Sequence, residues 1–294
     1  MQENPIFGRL ITAMVTPFAA NGALDVAQIR KLAAYLVDEQ ANDALVINGT
    51  TGECPTTSDG EKQQILTEVV AAVGDRAKVI AGVGTFNTAH TLELVKAAED
   101  AGVDGLLVVT PYYSRPPQAA LADHFLTVAE ATSLPIMIYD IPHRSGIPVE
   151  TSTFKAIAAC PNIVAVKDAK GLPVVSAQVI ADTDLAFYAG DDAMLLPLMG
   201  VGGVGVVGTS THFTGKLTKE VIELFLAGQL DAALQLYQQL LPVYSGVFAT
   251  QGCLLVKAGL AARGFDVGGV RKPLLPATKQ EATDFIALLD AASL

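Results

Sequence analysis

Two short runs decide the fold: Pro135-Ile136-Met137-Ile138-Tyr139 and Ile163-Val164-Ala165-Val166-Lys167. Each stays apolar until its last residue, and each is too short for an ordinary helix. Continuous apolar runs of this kind fit strands covered on both faces, as in a parallel sheet. Glu150–Ala159 between them reads as a helix, so the segment is one β-α-β unit. The alternation extends in both directions. Further strands are expected at Leu10–Val15, Ala44–Ile47, Val79–Gly82, Gly105–Val109, Ala186–Ala189 and Val204–Val207. Helices are expected at Asp25–Glu39, Ser58–Val73, Thr88–Ala101, Gln118–Thr132, Pro173–Ala181 and Asp192–Met199. Roughly eight βα units in roughly 210 residues predict an α/β fold, a (β/α)8 TIM barrel. An open doubly wound sheet usually has fewer units and a different nucleotide loop.

Helix starts support this division. Asp25/Gln28, Ser58/Glu61 and Thr278/Glu281 have capping-box spacing, and Gly102 is placed to cap the helix that ends at Ala101. After Phe213 the strand signal stops, and helices are expected at Lys216–Ala227, Leu230–Phe248, Cys253–Arg263 and Thr278–Ala292. The division predicted is a barrel over residues 1–227 and a C-terminal helical extension over residues 228–294. No Pro/Ser-rich linker separates the two, so the extension is expected to pack on the barrel or on a neighbouring subunit.

The chain has 294 residues, 51% of them hydrophobic and 17% charged, which excludes a disordered chain. Its net charge of −11 argues against a nucleic-acid partner, which would call for a basic face. A few local cations could still hold a small anion. Cys54, Cys160 and Cys253 are far apart and odd in number, which predicts no disulfide framework and a reducing, cytoplasmic setting. Met1–Pro5 carries no basic and apolar leader pattern. The uncharged stretch Ala193–Gly215 holds Pro197 and a Gly, Ser and Thr cluster, so no membrane span is expected.

In a barrel, chemistry gathers at the C-terminal ends of the strands. There the sequence places Thr16-Pro17, Asn48-Gly49-Thr50-Thr51-Gly52-Glu53, Thr110-Pro111-Tyr112-Tyr113, Tyr139–Arg144, Lys167-Asp168, Gly190-Asp191-Asp192 and Gly208-Thr209-Ser210. Lys167 is the most informative, because its stem leaves a buried strand whereas most other lysines fall on helices. Desolvation would lower its pKa and free a neutral amine to form a Schiff base with a carbonyl. The alternative is a lysine that reaches solvent and pairs with Asp168 or Asp191. Tyr139 could move a proton at the carbinolamine oxygen, or be a core-edge phenol. Gly49–Gly52 offers N–H and O–H donors suited to a carboxylate, although such turns are common. Arg144 could hold a second carboxylate bidentately, or be a surface arginine.

Other patterns carry less. Gly203-Val204-Gly205-Val206-Val207-Gly208 spells GxGxxG, but it lies across a turn and a strand rather than between a strand and a helix, so close packing is expected there. His90, His124, His143 and His212 show no ligand spacing, so no metal is expected.

Together Gly49–Glu53, Thr110–Tyr113, Tyr139–Gly146, Val166–Asp168 and Gly190–Asp192 resemble the dihydrodipicolinate synthase branch of the pyruvate-dependent class I aldolases. The motifs stand in family order from about Gly8 to Thr211, and the helical tail is similar too. The resemblance implies a lyase, usually a homotetramer built as a dimer of dimers, that needs no cofactor beyond a covalent imine between pyruvate and Lys167. The imine becomes an enamine that attacks L-aspartate 4-semialdehyde, and cyclisation gives the heterocycle of lysine and diaminopimelate biosynthesis. It further implies a catalytic set of Lys167, Tyr139, Thr50, Thr51 and Tyr113, with the Tyr113 equivalent reaching in from a neighbouring subunit. The implied substrate-binding set is Thr51, Val207, Arg144 and Gly190. Sister lyases acting on N-acetylneuraminate or 2-keto-3-deoxy sugar acids share Lys167, Tyr139 and the Gly-Thr-Thr-Gly-Glu loop but generally lack an arginine at position 144. A non-catalytic keto-acid-binding barrel would have no need of Lys167 and Tyr139 together.

The chain departs from the lysine-inhibited members in the effector cleft. Asp59, Lys62, Phe86 and His90 stand at the matching positions, with Tyr112 kept. Lys62 would repel the effector's ammonium, so weak or absent inhibition by lysine is expected. Cys54 stands where Ser or Ala is usual, a tolerable small residue.

Overall fold

A computed structural model describes residues 2–294. Eight strands close into one barrel in sequence order: β1 (Leu10–Ala13), β2 (Ala44–Ile47), β3 (Lys78–Gly82), β4 (Gly105–Val109), β5 (Ile136–Asp140), β6 (Ile163–Asp168), β7 (Ala186–Ala189) and β8 (Gly205–Gly208). All pair in parallel, and β8 returns to β1 through Val206 opposite Leu10. The expected TIM barrel is therefore present. Its surrounding helices are α1 (Val26–Ala34), α2 (Asp59–Val73), α3 (Thr88–Asp100), α4 (Gln118–Glu130), α5 (Pro142–Ser145), α6 (Thr151–Ile157), α7 (Pro173–Asp182), α8 (Leu195–Met199) and α9 (Thr211–Leu226).

Local signals act where they stand in the chain. Of the three expected capping boxes, those at Ser58/Glu61 and Thr278/Glu281 form in full, whereas at Asp25 only the first half is made, the carboxylate accepting from the Gln28 N–H at 3.0 Å. Gly102, with φ +77°, turns the chain out of α3. Most boundaries shift by a residue or two, and one shifts further. The last barrel helix was expected from Lys216 and begins five residues earlier, at Thr211. Thr211–Gly215 is rich in threonine and glycine, which favour strand or turn when read alone. Here the segment is buried against the π-helical turn Tyr35–Glu39 that continues α1, and a Cβ on Gly215 would lie 2.2 Å from the Gln40 carbonyl oxygen. Close packing overrides propensity.

The core has two layers. Strand residues facing outward, such as Leu45, Val108 and Ile138, pack under the helices. Those facing inward, such as Ile11, Val46, Met137 and Ala165, fill the barrel, and Phe7 lies close beneath β4. The β8 glycines serve this packing, because a Cβ on Gly205 would lie 2.0 Å from the Arg9 carbonyl oxygen. GxGxxG is thus a packing feature. The uncharged stretch 193–215 is divided among a 3-10 turn, α8, β8 and the start of α9, and among the described residues no helix is long and apolar enough to cross a membrane.

The tail is α10 (Leu230–Gly246), α11 (Gly252–Ala262) and α12 (Lys279–Ala291). It packs on the barrel. The Tyr244 hydroxyl lies 2.9 Å from Thr218 in α9, and Tyr237 donates to the Ala193 carbonyl at 2.6 Å. The turn between α10 and α11 lies over the C-terminal mouth of the barrel.

Candidate active site

Alternation along β5 and β6 sets the site. Tyr139 pairs in register with Lys167, and Asp140 with Asp168. Neighbouring residues on a strand point to opposite faces, so tyrosine and lysine turn inward together while both aspartates turn out. Lys170 meets those aspartates, with Nζ 2.9 Å from Asp140 and 3.3 Å from Asp168. The Asp168 carboxylate also accepts from the Ser176 hydroxyl. Asp168 is therefore occupied, and the alternative in which Lys167 pairs with Asp168 or Asp191 does not hold. Among the described residues no carboxylate lies within ion-pair distance of Lys167.

Lys167 and Tyr139 are each 5% exposed, and Lys167 Nζ stands 4.4 Å from the centre of the Tyr139 ring. Burial brings the Lys167 amine down to about 8; Asp192 opposes this and Arg144 assists it. Against an ordinary lysine, that shift leaves roughly 300 times more neutral amine at pH 7. Burial pushes the Tyr139 phenol up to about 12, against the pull of Arg144 and the Thr50 hydroxyl. The phenol therefore stays protonated at neutral pH and can donate. The backbone of β7 makes room for the lysine stem: a Cβ on Gly190 would sit 3.1 Å from Lys167 Cγ.

Above these groups lies a cavity of about 270 Å³. Of the expected residues, Thr50, Thr51, Tyr139, Arg144, Lys167 and Gly190 line it. Thr50 and Thr51 stand on the turn after β2. In that turn the N–H groups of Gly52 and Glu53 bond the Gly49 and Thr50 carbonyls, at 3.1 Å each. The N–H groups of Thr50 and Thr51 have no acceptor among the described residues, and the Thr51 hydroxyl lies 3.4 Å from that of Thr209. Arg144 is exposed on α5, its guanidinium donating to Gln251 at 3.0 Å. Val207 is buried within β8, with its side chain in the barrel interior. Tyr113 is not brought to this chain's cavity. It is 93% exposed, on backbone at φ +73°, a conformation that costs a non-glycine residue energy and often marks function.

Sequence reading missed part of the wall. Phe248, Thr250, Gln251, Gly252 and Cys253 close one side from the α10–α11 turn. No local pattern marks them, since only the docking of the tail brings them over the mouth. Asp192 follows β7, where the sequence motifs give it no role. It is 1% exposed and accepts from the N–H groups of Thr209 at 3.0 Å and Ser210 at 2.9 Å, and from the Ser210 hydroxyl. Burial raises its pKa, while those donors counter the rise.

The fold and site define a barrel enzyme with a desolvated amine at the strand ends. The sequence profile of the Dihydrodipicolinate synthetase family matches residues 6–292. The 4-hydroxy-tetrahydrodipicolinate synthase of Cutibacterium acnes is 57% identical, over 99% of this chain and 99% of that protein. The crystal structure of a dihydrodipicolinate synthase from Bacillus anthracis superposes with TM-score 0.95 at 40% identity, covering 97% of this chain and 98% of that one. The synthase of Cyanidioschyzon merolae with lysine bound gives TM-score 0.96 at 37% identity, covering 99% of each chain. The chain belongs to the dihydrodipicolinate synthetase family, and it is a lyase.

Proposed function

We infer that the chain catalyses the 4-hydroxy-tetrahydrodipicolinate synthase reaction, joining pyruvate to L-aspartate 4-semialdehyde through an imine on Lys167. One observation carries the reading: a buried lysine with no ion-pair partner among the described residues, 4.4 Å from a tyrosine ring, lining the mouth cavity. The neutral amine attacks the ketone carbon and forms a carbinolamine. Tyr139 gives its proton to the departing hydroxyl, and water leaves as the imine forms. Loss of a methyl proton gives the enamine, whose carbon attacks the aldehyde and makes the new C–C bond. The amino group of the second substrate then attacks the imine carbon, closes the ring and releases Lys167. Thr51 and Tyr113 relay the proton away from Tyr139. The hydroxyl of Thr51, with backbone groups at Thr50, Thr51 and Val207, binds pyruvate beside Gly190. Arg144 holds the semialdehyde carboxylate.

The exposed apolar side chains of Phe86, Tyr113, Leu172, Val174 and Val175 support assembly, as a dimer of dimers. In that assembly Tyr113 enters the neighbouring subunit's site. A cytoplasmic location fits three free cysteines. A division into residues 1–227 and 228–294 fits the turn at Gly228, φ +75°.

The test combines borohydride trapping with an assay. A pyruvate adduct on Lys167, located by mass spectrometry, and turnover of aspartate semialdehyde are expected. Turnover of sialic acid alone would move the reading to the sister lyases. Absence of any adduct would favour a binding protein.

A further inference from the structure

The loop that carries Thr50 and Thr51 ends in Glu53, a non-glycine residue at φ +57° and 2% exposed. Its carboxylate points away from the cavity into the seam between barrel and tail. There it meets Lys257 of α11, with Nζ 2.7 Å from Oε1. The backbone N–H of Arg271 donates to its other oxygen at 2.9 Å. Lys257 also donates to the Gly269 carbonyl at 2.6 Å. Phe18 lies against both cations, 4.5 Å from Lys257 Nζ and 4.2 Å from the Arg271 guanidinium carbon. Arg271 in turn holds Glu61 through two donors, at 2.9 and 2.6 Å, and the Thr56 carbonyl at 2.9 Å. The tail segment can pass this close only because residue 268 is glycine; a Cβ there would lie 1.7 Å from the Phe18 carbonyl oxygen. On its barrel side the same loop is tied by hydroxyls, Thr16 donating to the Gly52 carbonyl at 2.6 Å and Thr51 lying 3.4 Å from Thr209.

We propose that Lys257 is a positioning residue of the reaction: seated on the Glu53 carboxylate, it holds the Gly49–Glu53 loop so that Thr50 and Thr51 face Lys167. The helical tail is then a working part of the site. An isolated buried carboxylate would draw in water or a proton and pull its loop out of place. Paired with Lys257 it is pinned, and so are the two residues four and three positions before Cys54. The effect belongs to pyruvate, whose carboxylate that loop binds, and not to the aldehyde substrate, which meets Arg144. The proposal rests on the assignment of Thr50 and Thr51 to pyruvate.

The experiment compares Lys257→Met, Glu53→Gln and a control, Lys219→Met, which breaks the ion pair with Asp43. Lys257→Met is expected to raise the KM for pyruvate about tenfold or more, to slow borohydride trapping on Lys167, and to leave the KM for the semialdehyde within about twofold. Glu53→Gln keeps the shape and the acceptor but loses the charge, and should raise the pyruvate KM by a smaller factor in the same direction. If Lys257→Met does not fold, Glu53→Gln decides by itself. Folded variants whose two KM values rise together, or whose pyruvate KM matches Lys219→Met, would overturn the proposal. Trapping in the unmodified enzyme tests the imine separately, so an adduct there with unmoved variants removes the clamp and spares the imine.

Discussion

Lys167 and Lys257 are buried to the same degree, each 5% exposed, and burial pulls both amines below the ordinary lysine range. From there they part. Lys257 sits 2.7 Å from Glu53 and holds its proton against that carboxylate. Lys167 faces an open cavity, and Asp192, the buried acid whose charge acts on it, is engaged with Thr209 and Ser210. Desolvation makes an ammonium costly in both places. A partner offsets the cost at one and its lack releases a neutral amine at the other. Burial creates the shift; the neighbouring carboxylate decides whether the side chain is a clamp or a nucleophile.

That contrast can be broken at several points. Lys167→Met should lower turnover at least about 10³-fold and abolish the trapped adduct. The same variant should be more stable at pH 7, on the order of 1–3 kcal/mol in denaturant unfolding. The sign follows from linkage. Lys167 binds its proton more weakly folded than unfolded, so the penalty is fully present below about 8 and fades as pH rises toward the unfolded value. A Lys167→Met protein less stable than its parent would mean the amine is held, not merely buried. Tyr139→Phe should lower kcat by about 10²-fold or more and leave trapping slow but detectable; unchanged kcat would return the phenol to the core edge. Arg144→Ala should raise the KM for the semialdehyde about 10–100-fold with little change for pyruvate.

The initial rate of adduct formation should fall about tenfold for each pH unit below 8, and level off above it, because the neutral amine is the reacting form. A profile flat from pH 6 to 8 would deny the lowered pKa. The smallest effect is expected at the cleft of Asp59, Lys62 and His90. Asp59 already accepts from His90 at 2.8 Å and Lys62 at 3.1 Å, while Lys62 also donates to the Thr57 carbonyl at 2.7 Å. Phe86 stands edge-on to Tyr112, 5.4 Å between ring centres. With the carboxylate so engaged, millimolar L-lysine should inhibit less than about twofold. Strong inhibition would show that an added ammonium competes with the resident one.

Much of this could be seen along the chain. Apolar runs ending in Lys167 and Tyr139 gave both the strands and the chemistry, because a strand buried on both faces has a distinctive composition and its end is where polarity returns. The capping boxes at Ser58 and Thr278 are equally local, since a side chain there bonds a backbone three residues away. Other features stayed hidden. The helical turn at Thr211–Gly215 carries the composition of a loop, and only the approach of Gln40 explains its glycine. Gln251 and Cys253 line the cavity from more than eighty residues beyond Lys167, with no pattern to announce it.

Strand count, strand direction, the placing of Lys167 and Tyr139 at neighbouring strand ends and the family itself follow from the chain alone, because periodicity and short motifs are written locally. Only the closed barrel and docked tail decide that Asp168 belongs to Lys170, that Glu53 belongs to Lys257, and that Lys167 is left without a partner. Charges choose neighbours through space, over distances of a few ångströms, and the order of residues does not record which buried carboxylate will arrive beside which amine.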